Sequence, residues 1–521
     1  MKMQKDSVIV IGAGMGGLAA AIRLAAAGRE VTLLEAQSWP GGKMRTIPSA
    51  AGPVDAGPTV LTLRDVLDDL FQVAGTETSA HVALAPLEIL ARHFWSDGTQ
   101  LDLHPDNEAN ADAVGNTFGV KARAEFLRFD AETRALFSAC DAPIMRSPRP
   151  APLQAARALL ARPGLLPWLS PGKTLSTMLD ARFSEPRLRQ LFGRYATYVG
   201  GNPLLAPAIL GLIWQAEARG VWAVEGGMAA LAQSLADLFI RLGGQLRFNA
   251  PVAQIHSVNG EVSAITLANG EKLTARQVIF NGDPAALPFL LDATQKAIGT
   301  RSTKPRSLSA HVWTFAAKLA PPARGTATLA YHSVFFADTA TEEFTPLARG
   351  ELPAAPTIYV CAQDRIKSVP AGAERFQFIL NAPAVVRPAP DTKETRCQIH
   401  PFARLARFGL ELSPMPGPDA LTRPLDFADL FPHSAGALYG LSPNGMMATF
   451  RRPTARTPVK GLYLSGGGVH PGAGVPMALL SGKHAATAAL SDRTSEPMLR
   501  PTATPGGIST GSAMTARAPS R

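Results

Sequence analysis

Cysteine, aromatic residues and long apolar runs are all scarce in this 521-residue chain. Each scarcity excludes something. The three cysteines, Cys140, Cys361 and Cys397, lie far apart with no CxxC or other ligand spacing, so no disulfide framework and no metal site is expected. They read as packed thiols of a reducing compartment. No run of eighteen or more apolar residues occurs, which argues against a spanning helix. Met1 to Asp6 lead straight into an apolar strand and leave no room for a signal peptide. A cytoplasmic protein, soluble or peripherally membrane-associated, is expected. Lys and Arg (51) outnumber Asp and Glu (41), giving a net charge of +10. The excess is spread along the chain without a clustered basic helix or a base-reading motif, so no nucleic acid is expected and an anionic membrane surface fits better.

What is present is concentrated at the N-terminus. Val8 to Ile11 is a β-branched, apolar stretch that suits a buried parallel strand, and Leu18 to Ala27 is an alanine-rich amphipathic helix closed by Gly28. Between them lies Gly12-Ala13-Gly14-Met15-Gly16-Gly17, and a second strand, Glu30 to Leu34, ends at Glu35. In a βαβ unit Gly12 permits the tight turn, Gly14 lets backbone approach a pyrophosphate, and Gly17 lets helix and strand touch. The free N–H groups and positive dipole end of the helix favour that anion. Glu35 stands where a carboxylate accepts ribose hydroxyls. An adenine dinucleotide site is therefore expected. Gly41-Gly42-Lys43-Met44-Arg45 adds flexible backbone and two cations able to meet phosphate or flavin oxygens, and Asp55-Ala56-Gly57-Pro58-Thr59 follows.

This order of acid, double glycine and Asp-x-Gly resembles the FAD-dependent amine oxidases and carotenoid desaturases, which implies FAD as cofactor and an α/β fold. That fold has a Rossmann-like FAD-binding lobe and a discontinuous substrate lobe of mixed antiparallel sheet and helices. On this resemblance residues 1–80, 225–290 and 456–490 form the FAD-binding lobe, 81–224 and 291–455 the substrate lobe, and 491–521 a disordered, Ser/Thr/Pro/Gly/Arg-rich tail.

Several further stretches carry the same likeness. His93-Phe94-Trp95 and Leu101-Asp102-Leu103 flank an Asp97-Gly98 hairpin turn. Residues 119 to 222 read as helical. Within them Ala151 to Trp168 combines Ala155, Ala158, Leu159, Leu165, Leu166 and Trp168 with Arg157, Arg162 and the nearby Lys173. Two readings stand for this segment: attachment to a membrane interface, or a buried helix pair joined at Pro163-Gly164. Tyr198, in Arg194-Tyr195-Ala196-Thr197-Tyr198-Val199-Gly200-Gly201, lines the substrate tunnel on the family reading and is plain core on the other. Glu225-Gly226-Gly227-Met228 opens a long helix. By resemblance, Val252 offers its backbone to the adenine, and Asn281-Gly282-Asp283-Pro284 matches the family's Asn-Ala-Asp-Pro turn except at its second place.

Strands at His311 to Leu319, Tyr331 to Phe336, Thr357 to Ala362 and Phe376 to Asn381 suggest an antiparallel sheet with one face on an apolar cavity. Residues 291–450 hold no catalytic triad, metal spacing or P-loop. The chain ends in Gly466-Gly467-Gly468-Val469-His470-Pro471-Gly472-Ala473-Gly474-Val475-Pro476-Met477 and a helix to about Leu490. Here glycine backbone can lie against the ribityl chain, and the helix starting near Val475 aims its N–H groups at the flavin pyrimidine edge, involving Gly467, Gly468, Gly474, Val475 and Met477.

Up to about residue 490 the chain resembles the phytoene-desaturase-like family, and the Gly41 to Arg64 and Phe431 to Gly440 stretches look closest to its 1-hydroxycarotenoid 3,4-desaturase (hydroxyneurosporene or methoxyneurosporene desaturase) group. The resemblance implies dehydrogenation of an acyclic carotenoid, in which a long apolar corridor positions the substrate and oxygen or a quinone takes the electrons. His470 is the one titratable group of the final motif: it either accepts a proton or orients the loop. Phytoene desaturase and carotene isomerase are the alternatives within the superfamily. An amine oxidase needs a polar amine site with an aromatic cage, which six tyrosines make difficult. A lipid carrier of the same fold, like the GDP dissociation inhibitors, predicts an eroded fingerprint, whereas Gly12, Gly14, Gly17 and Glu35 are intact.

Overall fold

A computed structural model describes residues 7–170, 172–291, 305–320, 328–385, 401–445 and 447–494. Its first lobe is built on five parallel strands in the order Leu462–Leu464, Gln277–Phe280, Ser7–Ile11 (β1), Glu30–Leu34 (β2) and Gln245–Arg247. Three distant stretches of chain thus share one sheet. Val8 and Val10 are fully buried, as a strand covered on both faces requires. Between β1 and β2 runs the helix Met15–Ala26 (α1). It stops where Gly28 takes φ +76°, a left-handed conformation that costs other residues about 1–2 kcal/mol. The last helix, Val475–Thr494, crosses α1 closely enough that a Cβ on Gly482 would stand 2.3 Å from the Gly16 carbonyl oxygen. It runs four residues past the expected end at Leu490. The proposed disordered tail otherwise lies outside the described residues.

The second lobe is a mixed sheet whose main order is Leu412–Ser413, Ser309–Leu319, Glu374–Ala382, Ile358–Ala362, His332–Phe335, Ala91–Phe94 and Gln100–Leu103. The hairpin expected near Asp97-Gly98 is the edge of this same sheet: Ala91–Phe94 runs parallel to His332–Phe335, with His93 opposite Val334. That one parallel pairing joins two chain segments far apart in sequence. Phe94 and Phe335 stack on it with ring centroids 4.6 Å apart, a contact that adds about 0.5–1.5 kcal/mol beyond area burial.

Against the sheet packs a helical layer led by Val120–Cys140. Its apolar face, Phe126, Phe129, Leu136 and Phe137, is buried, and Phe129 meets Phe192 at 4.5 Å and Phe183 at 5.0 Å. Asp130 is buried in this face and is satisfied by Trp214 Nε1 (3.1 Å), Gln215 Nε2 (2.8 Å) and Arg134. Cys140 and Cys361 are free, buried thiols, as expected, and Cys397 lies outside the described residues. The two lobes are tied through Asp55. Its carboxylate accepts the Met228 and Ala229 N–H groups and so caps the helix Met228–Arg241, while Gln363 grips its backbone from the sheet of the second lobe. A Cβ on Gly227 would stand 2.3 Å from that carboxylate, which explains the Glu-Gly-Gly-Met opening. Among the described residues no helix is long and apolar enough to cross a membrane, and no His/Cys/Asp/Glu cluster suits a metal.

Candidate functional site

The glycine turn after β1 is held from three sides. Gly12 has φ +96° and donates its N–H to the Leu34 carbonyl (2.7 Å). Asn281 Nδ2 donates to the Gly12 carbonyl (3.1 Å), and Ser465 Oγ donates to Asn281 Oδ1 (3.1 Å), so one side chain couples the first loop to the last motif. Every glycine here marks a close approach. A Cβ on Gly17 would lie 2.0 Å from the Gly12 oxygen, one on Gly16 2.6 Å from Gly466 N, and one on Gly42 3.3 Å from Gly14 Cα. Glu35 is buried, and its two oxygens accept Ala13 N–H (2.7 Å) and Gln37 N–H (2.9 Å). Burial pushes its pKa up, with these backbone donors working against the rise. The acid expected to meet a ribose therefore first builds the loop. Val252 begins the first strand of a separate three-stranded sheet, opposite Leu267. Just before it, Ala250 N–H binds the Glu35 carbonyl and Asn249 N–H the Gln37 carbonyl, which brings this segment to the Glu35 end of the site.

Lys43, Arg45 and Thr59 face the second lobe. The Lys43 ammonium is buried, donates to the Leu438 carbonyl and lies 5.4 Å from the Phe431 ring centroid. Burial lowers its pKa to about 8, Asp283 opposing and Arg306 and Arg452 reinforcing the drop. Arg45 Nη2 donates to Thr422 Oγ1 (2.8 Å) with its guanidinium near Phe427. Thr59 Oγ1 pairs with Tyr359 Oη (2.6 Å), which in turn pairs with His332 Nδ1 (2.6 Å). All three side chains have protein partners at the lobe boundary.

Beside this boundary lies an apolar cavity of about 390 Å³. One wall is the final motif, Pro471 to Met477, including Gly474, Val475 and Met477; others come from Leu63, Phe137, Ile144, Leu159, Trp168 and Leu212. Tyr198 and Glu217 are on its lining. Tyr198 Oη donates to Glu217 Oε2 (2.7 Å), and Arg194 Nη2 donates to Tyr198 Oη (3.4 Å). Burial raises the Glu217 pKa, opposed first by the Arg194 charge. His470 is buried beside the final glycine motif. Its Nε2 lies 2.9 Å from the Ser147 carbonyl, its ring stacks on His484, and it is not part of the cavity lining. The Gly467 carbonyl accepts from Arg452 (3.0 Å), and Gly468 serves close packing, since a Cβ on it would meet Pro284 Cδ at 2.8 Å.

Comparison with known proteins decides the family. The profile of the flavin containing amine oxidoreductases matches residues 15–361 and 391–490. The chain belongs to that family. It is 52% identical over 498 residues to a hydroxyneurosporene desaturase of Cereibacter sphaeroides, covering 95% of this chain and 99% of the relative. It is 49% identical, over the same shares, to a hydroxyneurosporene desaturase of Rhodobacter capsulatus. Among solved structures, wild-type putrescine oxidase bound to putrescine superposes with a TM-score of 0.57 at 16% identity, covering 93% of this chain and 99% of that one, a likeness of fold.

The family implies a flavin, and the residues present fit one. No side chain caps the N-terminus of α1, so its donors remain for an anion. The second glycine wall meets the cavity at Gly472 to Met477. Glu217 and Arg194 were missed in the sequence. Arg194 and Tyr198 stand four residues apart, a hint of one shared face, but nothing in the spacing points to a carboxylate nineteen residues beyond Tyr198. Asn281 was read only as a turn residue, and its coupling of the two glycine segments needs the tertiary fold.

Proposed function

We propose that the protein is an FAD-dependent carotenoid desaturase that introduces the 3,4 double bond of 1-hydroxycarotenoids such as hydroxyneurosporene. Its likeness to hydroxyneurosporene desaturases over almost its whole length supports the substrate. The observation that carries the reading is the apolar cavity, one wall of which is the glycine-rich head of the last helix. When bound, FAD, held by the Gly12 to Gly17 turn and the Gly472 to Met477 segment, would supply the acceptor for both hydrogens of the dehydrogenation, with oxygen or a quinone as the final oxidant. The chain's own part is to hold an apolar polyene end still and dry against Gly472 to Met477. A buried wall of Leu, Phe, Trp and Ile does this without a polar catalytic group. His470, tied to Ser147, steadies the loop.

The way in is proposed to be the membrane surface. Of the apolar residues expected to touch lipid under the membrane reading, Ala155, Ala158, Leu159, Leu165, Leu166 and Trp168, three, Leu159, Leu165 and Trp168, are only 2%, 4% and 2% exposed, and Trp168 Nε1 donates to Glu132 (2.9 Å). They are core. The outward leucines are Leu153 (80% exposed), Leu160 (63%) and Leu166, with Arg157, Arg162 and Lys173 exposed among them. This segment also lines the cavity through Pro152, Ala155 and Leu159. Leucines in the acyl boundary and cations at headgroups suit an interfacial helix beside the opening.

The test is to load the protein with FAD and offer acyclic carotenoids with and without a terminal hydroxyl. A product two hydrogens lighter with a red-shifted spectrum supports the reading. A product of unchanged mass identifies an isomerase instead.

A further inference from the structure

The cavity has a single carboxylate on its lining among the described residues, Glu217, and that carboxylate is not isolated. Glu217 and Arg194 are both more than nine-tenths buried. Tyr198 links them: it receives a hydrogen bond from Arg194 and gives one to Glu217 Oε2, leaving Oε1 without a hydrogen bond from the described residues. The Tyr195 hydroxyl also lies close to the Glu217 carboxylate and helps hold its pKa down, and Arg194 Nε is buried without a hydrogen-bond partner among the described residues. Burying a charge of each sign beside an apolar cavity is costly unless the remaining lone pairs and protons are used. The other cations on the lining are accounted for. Arg452 spends its guanidinium on the Tyr439, Gly467 and Leu441 carbonyls, and Lys173 is exposed. A purely hydrocarbon ligand gives Glu217 Oε1 nothing to accept.

We propose that Glu217, held by Tyr198 and backed by Arg194, binds the terminal hydroxyl of the substrate and thereby sets which carbon–carbon bond faces the Gly472 to Met477 wall. This deepens the desaturase reading and rests on it. The hydroxyl donates to Glu217 Oε1, while the Tyr198 O–H, given to Glu217 Oε2, holds that carboxylate in place. A hydroxyl on C1 lies only a few bonds from C3 and C4, so anchoring it fixes those carbons along the cavity. The remainder of the apolar chain is left to slide. A site built around a hydroxyl rejects the analogue lacking it far more strongly than an apolar pocket rejects a missing methylene, because the buried polar groups are then stranded. Tyr198 and Glu217 are thus specificity-determining residues, not proton carriers.

The experiment compares flavin-loaded wild type with Glu217→Gln and Tyr198→Phe on a 1-hydroxylated acyclic carotenoid and its non-hydroxylated parent. For each protein it measures kcat/KM on both substrates and, separately, the equilibrium binding of both polyenes. The ratio of kcat/KM, hydroxylated over parent, is expected to fall about 10- to 100-fold in Glu217→Gln and by a smaller factor in Tyr198→Phe, with the binding ratio falling alongside. Equal losses on the two substrates, or an unchanged ratio, would overturn the assignment, since a merely structural role lowers both together. Should Glu217→Gln not fold, the isosteric Tyr198→Phe carries the same comparison. Wild type that turns over neither polyene would refute the desaturase reading itself, and the binding ratio would still decide whether these residues recognise a hydroxyl.

Discussion

Replacing Gly17 by alanine adds one methyl group at the tightest contact of the nucleotide turn. That methyl would stand 2.0 Å from the Gly12 carbonyl oxygen, whereas a relaxed carbon–oxygen contact needs about 3.3 Å. The start of α1 must therefore retreat from β1 by about 1 Å. Its way is blocked, since Asn281 Nδ2 lies 3.0 Å from the same methyl position and Gly482 packs on the Gly16 carbonyl. Overpacking of this kind costs about 1–3 kcal/mol of stability. The shift also carries the α1 N–H groups off the anion they would hold, and one charge-assisted hydrogen bond is worth about 1.5–3 kcal/mol. FAD affinity is accordingly expected to fall about 10- to 100-fold. The assay is titration of the apoprotein with FAD, read by flavin absorbance and by thermal midpoint. Gly28→Ala is the control: no atom lies within 4 Å of its Cβ position and only the φ of +76° opposes it, so it should lose about 1–2 kcal/mol of stability and bind FAD normally. A Gly17→Ala protein with unaltered FAD affinity would refute the assignment of this turn to the nucleotide.

Asp55→Ala strips the cap from Met228–Arg241 and leaves the Met228 and Ala229 donors unpaired; a loss of about 1–3 kcal/mol is expected, visible as a lower thermal midpoint, and an unchanged midpoint would contradict the capping role. His93 and His332 are held neutral, each with a pKa near 3, first by burial and then by the Arg194 charge. Between the ordinary value of 6.5 and 3 the unfolded chain binds more protons than the folded one, so stability falls as pH falls, by about 2 kcal/mol per imidazole from pH 6.5 to 5. His93→Phe, which keeps the stack on Phe336, should make the decline of thermal midpoint with pH shallower, and an identical slope would count against it. Leu153→Asp with Leu160→Asp is expected to abolish flotation with anionic liposomes while leaving the fold intact, because both side chains point outward. Undiminished flotation would remove this segment as the membrane contact.

The nucleotide lobe was legible because its information is local. The strand Val8 to Ile11, the turn from Gly12 to Gly17 and Glu35 follow one another closely along the chain, and Gly16 and Gly17 answer tight backbone contacts. The second lobe was legible strand by strand: the stretch read at His311 to Leu319 is the strand Ser309–Leu319, and that read at Phe376 to Asn381 is Glu374–Ala382. Its joining to the Ala91–Phe94 hairpin was not, since a parallel pairing between segments so far apart in the chain leaves no periodic trace. The amphipathic stretch from Ala151 to Trp168 misled on orientation. Its composition suits lipid or core equally, and only the packing of Trp168 against Glu132 shows which leucines turn outward. Glu217 escaped notice for a related reason: an isolated acid in a helical region reads as surface until the fold buries it behind Tyr198.

The central claim is that two glycine-lined segments hold a flavin against an apolar cavity that takes a carotenoid end. The most direct measurement mixes FAD-loaded protein with 1-hydroxylated acyclic carotenoid in the absence of oxygen and follows the flavin absorbance and the product mass together. The account predicts bleaching of the yellow flavin in step with a carotenoid two hydrogens lighter and red-shifted. Flavin that keeps its colour while the carotenoid saturates the protein unchanged would contradict it.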